Sequence, residues 1–426
     1  MRLCVFEDRG VLGLEPLTLT RAAFAVRCGM SSLLSKQRRH FAADVTGALI
    51  RPPLAEVTRQ THPTLVVNDF TWLRVEPTIM VNARWLPPVA NGPELDLTPR
   101  VGLVGEQVAY AVLPAQQLTY CSPNTIDDCL ENWKQTLPQA PAGGTLIAYP
   151  WDLIVHHGET LRQEALRHRE QFGRTHRPCG LNIVGPSELL LVDPTATIEP
   201  DVVADTTRGP VMIDQKAVIQ SFSRLDGPCY IGPETCIAGA KLRNSTVGAV
   251  CRVGGEVDSS IIHGYSNKYH DGFLGHSYVG KWVNLAAGVQ VSDLRHDYGP
   301  VRVIIDGHRV DTGITKVGAF FGDHSKIGLG ALINTGSVFG AFSNVLPSGT
   351  YQPRGVPSFC RVENGKLLEP TNLQTVLTTA TEVMRRRGCE LSVPYAAMVH
   401  ALYDSTAAQR TQAIQWSNRR QMRRSA

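Results

Sequence analysis

The chain has 426 residues, of which 43% are hydrophobic, and a formal net charge of +4 at neutral pH. This length predicts at least two domains, and so small a net charge gives no reason to expect a nucleic-acid partner. No apolar run reaches membrane length and the N-terminus lacks a signal-peptide pattern, so we expect no membrane association. The ten cysteines form no CxxC pairs, which is typical of reduced thiols and favours a cytoplasmic protein.

Patterns of strands and helices alternate in the first part of the chain. Short apolar runs at residues 2–6, 64–68 and 78–82 have the length of strands. Such a mixture predicts an α/β domain over residues 1–180.

Two stretches of this domain have helical spacing. Ser122 and Pro123 are typical of a helix start, as cap and first helical residue. The apolar residues that follow at helical intervals are Ile126, Cys129, Leu130, Trp133 and Leu137. The second amphipathic stretch carries Leu161, Ala165 and Phe172.

Apolar residues recur at every sixth position over much of the region from 190 to 360. The residues in phase are Ile213, Ile219, Leu225, Ile231, Ile237, Val247, Val253, Val279, Leu285, Val291, Phe321, Ile327, Ile333, Phe339 and Val345. No helix or flat strand has this period, whereas a parallel β-helix of triangular section places one hexad on each face. Because one coil cannot bury its own apolar side, the coils must stack around a shared core. The period therefore predicts an all-β domain of stacked coils.

The six-residue phase breaks twice. About 20 residues after His263 fit the period poorly, and Ser292 to Lys316 is an insertion rich in charge and histidine. Loops that leave a regular solenoid often carry function. The six histidines between 263 and 324 also raise the alternative of a zinc site, which needs three or four convergent ligands.

Residues 368–426 are predicted to form a helical tail. Thr371 and Gln374 have capping-box spacing, and Gly388 is a plausible helix end. The apolar residues of a second helix are Tyr395, Met398, Val399 and Leu402. We expect a solvated, partly frayed end, because it is rich in arginine: Arg410, Arg419, Arg420, Arg423 and Arg424.

Three stretches carry a resemblance to a known family. They are Pro16–Arg21 (Pro-Leu-Thr-Leu-Thr-Arg) with Arg27 and Gly29 after it, Tyr149–Leu153, and Gly264–Ser277. Residues 1–360 resemble a divergent branch of the bifunctional enzymes that make UDP-N-acetylglucosamine. These enzymes join a nucleotidyltransferase to a glucosamine-1-phosphate acetyltransferase.

The resemblance implies a fold and a set of ligands. The expected fold is α/β plus all-β: a nucleotidyltransferase-like domain at 1–180, a left-handed parallel β-helix at 190–360 and a helical tail at 368–426. The expected substrates are acetyl-CoA, a sugar 1-phosphate and a nucleoside triphosphate, with Mg²⁺ as the metal. Relatives of this kind assemble as trimers, so a homotrimer is expected.

The resemblance also implies site residues in the β-helix. His270 takes the place of the family's catalytic histidine, where it would accept the proton of the sugar amine. Lys268 would hold the sugar phosphate, and Asn284 aligns with an asparagine of the sugar-amine site. Further substrate contacts are expected from Tyr265, Asn267 and Asp293. Asp293 stands where the family has an asparagine–tyrosine pair, which leaves the amino sugar and the acyl donor open.

The nucleotidyltransferase part departs further from the family. Residues 8–16 replace the usual glycine-rich loop, and Asn82 stands where the family has an aspartate. Phosphate contacts are expected from Arg9, Arg21 and Arg27. Asp69 is the expected metal ligand, with Asp152 as an alternative.

These departures keep two other functions open. In one, the first domain transfers nucleotides and the β-helix is only an oligomerising stalk. In the other, the protein is a non-catalytic scaffold that binds a sugar nucleotide.

Overall fold

The computed structural model describes residues 2–89, 98–168, 180–370 and 372–425, and of residues 420–425 it gives the backbone alone. Phe172 and Thr371, which the sequence places in helical patterns, lie outside the described residues.

A seven-stranded mixed sheet forms the first domain. In spatial order its strands are Gln139–Pro141, Arg100–Val104, Gln107–Leu113, Thr78–Asn82, Arg2–Phe6, Val45–Leu49 and Val66–Val67. Arg2–Phe6 pairs in parallel with both of its neighbours. The predicted strands at 2–6 and 78–82 are confirmed, whereas the one at 64–68 shortens to two residues. Two small ribbons pair Arg27–Cys28 with Ser31–Ser32 and Trp85–Leu86 with Thr145–Leu146.

Both faces of this sheet are covered, which is why its strands read as continuous apolar runs. Leu3 and Val5 pack into one core cluster, and Cys4 and Phe6 pack into another on the opposite face. The helices of this part of the chain are α1 (Leu33–His40), α2 (Ala55–Thr61), α3 (Phe70–Leu73), α4 (Ile126–Thr136) and α5 (Pro150–His168).

Two helix boundaries differ from the sequence prediction. α4 begins at Ile126, so the predicted start at Ser122 and Pro123 is wrong. The hydroxyl of Thr125 accepts a hydrogen bond from the Ser122 N–H at 3.1 Å, which closes a separate turn before the helix. α5 begins at Pro150, well before the amphipathic residues that the sequence analysis identified.

The second domain is a 23-stranded sheet wound into a parallel β-helix, as the hexads predict. In chain order its strands are Leu181–Val184, Leu190–Val192, Thr197–Ile198, Val202–Asp205, Val211–Ile213, Val218–Ile219, Arg224–Ile231, Cys236–Val247, Arg252–Asp258, Ile261–Gly264, Asn267–Lys268, Phe273–Gly275, Tyr278–Lys281, Asn284–Leu285, Gln290–Val291, Ala319–Phe321, Lys326–Ile327, Leu332–Ile333, Ser337–Phe339, Asn344–Val345, Gly355–Val356, Arg361–Glu363 and Lys366–Leu368. Strands pair in parallel with those one turn later, and only the last pair is antiparallel. The apolar residues in phase all belong to one buried cluster inside the coils.

The first break in the hexad phase has a structural cause. Val253 lies opposite Lys268, only fifteen residues later, so this coil is shorter than three hexads. Asn267 pairs with Asn284, which places Lys268 in the column between Val253 and Leu285. A lysine therefore occupies an interior position that other coils give to an aliphatic residue, and its residue exposure is 4%.

The second break is a structured insertion. It contains an antiparallel hairpin of Arg302–Ile305 and His308–Asp311, and it is closed at its base by a bridge between Leu294 and Lys316. Val301 and Val303 on this segment are fully buried. The insertion is therefore packed against the β-helix.

One corner of the β-helix carries a column of aromatic rings, one from each coil. Its members have left-handed backbone conformations, with φ between +55° and +65°: Tyr265, Trp282, His324, Phe342 and Phe359. Neighbouring ring centroids in the column stand 4.4–6.0 Å apart. Such backbone conformations are uncommon outside glycine, and the packing of the rings holds them here.

Three helices form the tail: α6 (Leu373–Arg385), α7 (Val393–Ser405) and α8 (Ala407–Ser425). Asn372 caps α6 through its side chain, so the predicted capping box is wrong. Gly388 has φ +69° shortly after α6, as predicted for a helix end.

The chain end forms α8, so the prediction of a solvated, frayed end is wrong at Arg410, which is buried, whereas Arg419 is exposed as expected. The Arg410 guanidinium pairs with Glu369 at 3.2 Å and lies 4.1 Å from the centre of the Tyr403 ring. These contacts anchor α8 against the rest of the tail.

Helix α5 and the segment before α1 join the two domains. Leu161 and Ala165 of α5 pack on Leu191, Met212 and Tyr230 of the β-helix. Within the described residues, no helix is long and apolar enough to cross a membrane.

Candidate functional site

The carboxyl ends of the central parallel strands are where an open α/β sheet usually binds its ligand. Glu7 and Asp8 follow the first strand, and Asn82 ends its neighbour. Two arginines, Arg51 and Arg84, lie against these carboxylates. This edge is the candidate nucleotide site of the first domain.

Asp8 is fully engaged at this edge. Its two oxygens accept hydrogen bonds from Arg84 Nε at 2.8 Å and Arg84 Nη2 at 2.7 Å. The Asn82 amide donates to Asp8 as well, at 2.8 Å. A bidentate pair of this kind uses most of the acceptor capacity of the carboxylate.

Glu7 is held in the same way. Its oxygens accept from Arg51 Nε at 3.0 Å and Arg51 Nη2 at 3.1 Å, and from the Ala23 N–H at 2.8 Å. Both acids at the strand ends are therefore neutralised by arginines of the same domain.

The segment in place of the glycine-rich loop forms a short 3-10 helix, Arg9–Leu14. A Cβ on Gly10 would lie 2.4 Å from Arg84 Nη2, and one on Gly13 would lie 2.4 Å from the Ala148 carbonyl oxygen. At both positions, the space that a side chain would fill is therefore occupied by another group of the protein. Arg9 is largely exposed, and its nearest carboxylate is Asp127 at 3.8 Å.

Arg21 and Arg27 lie at the junction with the β-helix, away from this edge. The Arg21 guanidinium forms a buried ion pair with Asp323, whose carboxylate also accepts from the Thr20 hydroxyl at 2.7 Å. The Arg27 N–H donates to the Tyr278 hydroxyl at 2.9 Å. A phosphate contact by Arg21 would require its pair with Asp323 to open.

The expected magnesium ligands do not come together. Asp69 caps α3 by accepting from the Trp72 N–H at 2.9 Å, and Asp152 accepts from the N–H groups of Ala148 and Tyr149. Among the residues that the structure describes, no three His, Cys, Asp or Glu side chains are grouped to hold a metal ion. With Asp8 and Glu7 paired to arginines, this arrangement does not fit a bound Mg²⁺.

In the β-helix, the Lys268 side chain is buried, whereas the His270 side chain is exposed. The Lys268 ammonium donates to the carbonyl oxygens of Gly254 at 2.7 Å and His270 at 3.1 Å. Burial lowers the pKa of Lys268 to about 8, although Asp271 and Glu256 oppose this shift. The His270 side chain is exposed, and its ring meets the edge of Tyr269 at 5.4 Å.

The two predicted asparagines meet on one face. Asn267 Nδ2 donates to Asn284 Oδ1 at 2.8 Å across neighbouring coils. The Tyr265 ring packs against that of Trp282 in the aromatic column, tilted by 32° with ring centroids 4.4 Å apart. Burial raises the pKa of the Tyr265 hydroxyl, and the neighbouring Cys389 of the tail adds to this shift.

Asp293 contacts His276, which the sequence analysis did not predict as a site residue. Its Oδ2 lies 2.7 Å from His276 Nδ1, and the two side chains are 12% and 19% exposed. The signal was present in the sequence, because the two residues are one coil of seventeen residues apart, as are Asn267 and Asn284. The exact coil length, however, is visible only once the strands are paired.

The first domain is similar to a known family. Residues 3–171 match the family model described as sugar nucleotidyl transferase, and this range includes all seven strands of the mixed sheet. A bifunctional sugar-1-phosphate nucleotidylyltransferase/acetyltransferase from Sulfurisphaera tokodaii is 33% identical over 152 residues. The match covers 33% of this chain and 36% of that relative, so the chain spans about a third of the relative's length.

Solved structures similar to this chain include two acyltransferases. The polySia-specific acetyltransferase NeuO has 12% identity and a TM-score of 0.26, over 45% of this chain and 82% of that chain. The N-acyltransferase AntD from Bacillus cereus has 13% identity and a TM-score of 0.19, over 49% of this chain and 92% of that chain. In this chain, a domain whose residues match the sugar nucleotidyl transferase model precedes a parallel β-helix.

Proposed function

We propose that this protein is a sugar-phosphate transferase with two activities. The β-helix would acetylate the amine of a hexosamine 1-phosphate with acetyl-CoA. The first domain would then transfer a nucleotidyl group from a nucleoside triphosphate to the sugar 1-phosphate. UDP-N-acetylglucosamine synthesis is the specific case that the sequence resemblance suggests.

One observation carries this proposal. A domain that matches sugar nucleotidyl transferases is joined in one chain to a β-helix of the hexapeptide-repeat type. The relative that is 33% identical over part of its length is named for the same pair of activities. This supports a transferase and leaves the sugar and the base to experiment.

Polar groups of the β-helix support the proposal of acetyl transfer. Transfer to an amine needs a base for the ammonium proton and donors for the thioester oxyanion. The segment Gly264–Ser277 contains two accessible imidazoles, His270 and His276, on either side of the strand Phe273–Gly275. Sequence resemblance favours His270 as the base, and the Asn267–Asn284 pair offers amide groups for the sugar.

Two assays on the purified full chain test the proposal. The first follows release of the CoA thiol from acetyl-CoA with glucosamine 1-phosphate or galactosamine 1-phosphate. The second follows release of pyrophosphate from each nucleoside triphosphate with the N-acetylated sugar 1-phosphate. Turnover in both supports two activities, whereas turnover in neither overturns the proposal.

A second candidate is acetyl transfer with a first domain that binds nucleotides without transferring them. The ion pairs Asp8–Arg84 and Glu7–Arg51 favour it, because they occupy both carboxylates at the strand ends. Release of CoA without pyrophosphate would select this candidate.

We also propose a homotrimer, because triangular β-helices of this kind assemble in threes and bind acyl donors between subunits. Light scattering at micromolar concentration tests this, and a monomer would exclude it. The nine described cysteines are free thiols, which supports the proposed cytoplasmic location.

A further inference from the structure

His276 occupies a rigid corner of the β-helix. It follows the strand Phe273–Gly275 with φ +43°, a conformation that only the surrounding coils can hold in a histidine. Its N–H donates to the Asp258 carbonyl oxygen at 2.9 Å, and its own carbonyl oxygen accepts from the Gly318 N–H at 2.9 Å. The backbone of His276 is therefore fixed from the coils on both sides.

The imidazole of His276 is oriented by Asp293 from the next coil. Nδ1 lies 2.7 Å from Asp293 Oδ2, and the carbonyl oxygen of Asp293 accepts from the Val317 N–H at 2.9 Å. A Cβ on Gly275 would lie 2.5 Å from Asp293 Oδ2, so the glycine leaves the space that the carboxylate uses. Asp258, whose side chain pairs with Arg243, also faces the imidazole and lies close enough for the two charges to interact.

Hydrogen bonding of one nitrogen determines what the other can do. A carboxylate that accepts from Nδ1–H leaves Nε2 as the nitrogen with a free lone pair. Within the part of the chain that the structure describes, Nε2 of His276 makes no hydrogen bond, and the side chain is 19% exposed. His276 is thus an oriented imidazole whose basic nitrogen can be reached by a small molecule.

His270 lacks this orientation. Its carbonyl oxygen is held by Lys268, whereas no hydrogen bond to the described residues orients its ring, which lies in a T-shaped contact with Tyr269. His270 precedes the strand Phe273–Gly275 and His276 follows it, so the two side chains lie at different edges of one face. They are therefore alternative bases for a single bound amine.

We infer that the His276–Asp293 pair is the acid–base centre for acetyl transfer in the β-helix. Nε2 of His276 takes the proton as the sugar amine attacks the thioester carbonyl, so that a C–N bond forms and the C–S bond breaks. The imidazolium then returns this proton to the leaving CoA thiolate. Asp293 is the positioning residue that orients the ring and stabilises the imidazolium. The inference rests on the acetyltransferase activity proposed above.

The insertion supports this location for a substrate. It leaves the β-helix at Leu294, directly after Asp293, and returns at Lys316 in a bridge with Leu294. The base of the insertion therefore lies beside the pair. Inserted loops on a solenoid commonly build its binding face.

Substitutions in the full chain test the inference. His276→Gln should lower kcat for acetyl transfer by about 10²–10⁴-fold, the usual contribution of a general base, with little change in KM. Asp293→Asn should lower kcat by a smaller factor and alter the pH–rate profile, and Asp293→Glu should restore part of the loss. The control His400→Gln, on the exposed surface of α7, should behave as wild type. Thermal unfolding of each variant must show that the fold is kept.

The outcomes separate this inference from the function on which it rests. If the wild-type protein acetylates no hexosamine 1-phosphate, both the proposed acetyltransferase function and the inference are overturned. If wild type is active and His276→Gln keeps its kcat, the inference alone is overturned. Loss of activity only in His270→Ala would assign the base to the other edge of the face.

Discussion

Two regions of this molecule hold carboxylates in opposite ways. At the carboxyl edge of the first sheet, Asp8 and Glu7 are each gripped by an arginine in a bidentate pair. At the corner of the β-helix, Asp293 is paired with the imidazole of His276 through a single nitrogen.

The difference lies in what each pairing leaves free. An arginine has only donors and no group that can take a proton, so its pair with Asp8 fixes structure. An imidazole paired through Nδ1 keeps a basic nitrogen on its other side. The comparison teaches that the paired acids of the first domain stabilise its fold, whereas the pair at the corner is suited to chemistry.

Among the variants considered, Arg84→Met should lower the free energy of unfolding the most. The Arg84 side chain is 3% exposed and that of Asp8 is 10% exposed, so the variant leaves a carboxylate without its partner in the interior. Breaking a buried pair costs about 3–5 kcal/mol of the free energy of unfolding. Asp293→Asn should cost only about 1 kcal/mol, because the neutral amide can still accept from the imidazole and no buried charge loses its partner.

Urea unfolding of both variants measures this difference. Arg59→Met, which breaks an exposed pair with Glu56, is the control and should cost at most about 1 kcal/mol. Equal losses for Arg84→Met and Asp293→Asn would show that both pairs have the same structural role.

Lys268 gives a pH-dependent effect of intermediate size. Burial lowers its pKa from 10.5 to about 8, so between these values the unfolded chain binds a proton that the folded chain lacks. The stability of wild type should therefore rise with pH across this window. Relative to Lys268→Met, which has no such proton, the gain should approach about 3 kcal/mol.

Unfolding of wild type and Lys268→Met at pH 7.5 and pH 10 checks the sign. Lys241→Met, on the exposed surface, is the control and should show no such trend relative to wild type. A constant difference between wild type and Lys268→Met at both pH values would contradict a depressed pKa for Lys268.

The smallest expected effect is at the asparagine pair. Asn267→Ala removes the hydrogen bond to Asn284 and should cost about 1 kcal/mol of unfolding free energy. If these amides also contact the sugar, KM for the hexosamine 1-phosphate should rise with kcat unchanged. Asn344→Ala, in the same column three coils after Asn267, is the matched control and should leave KM unchanged.

Much of the fold could be predicted from residue periods alone. The six-residue recurrence from Ile213 to Val345 predicts a β-helix, because the repeat must place an apolar side chain inside at every hexad. The run Leu3–Phe6 likewise predicts a strand that is buried on both faces. The tail prediction succeeded for the helix around Met398 and failed for the end that begins near Arg410, whose contacts with Glu369 and Tyr403 are not local.

The candidate sites could be predicted less well. Arg21 ends a motif that resembles the family's N-terminal signature and was expected to contact phosphate, yet its partner is Asp323, about three hundred residues away. Lys268 has the residue type of a phosphate ligand, but the short coil that contains it turns it towards the interior. Asp293 was predicted as a substrate contact, and its pairing with His276 was not.

The sequence by itself determined the periods, and with them the two kinds of domain and their order, because burial of apolar side chains repeats with the geometry of each element. Only the tertiary structure decided which charges meet. Ion pairs such as Arg21–Asp323 and the His276–Asp293 contact depend on how coils and domains stack, and a linear pattern of polar residues does not encode that stacking.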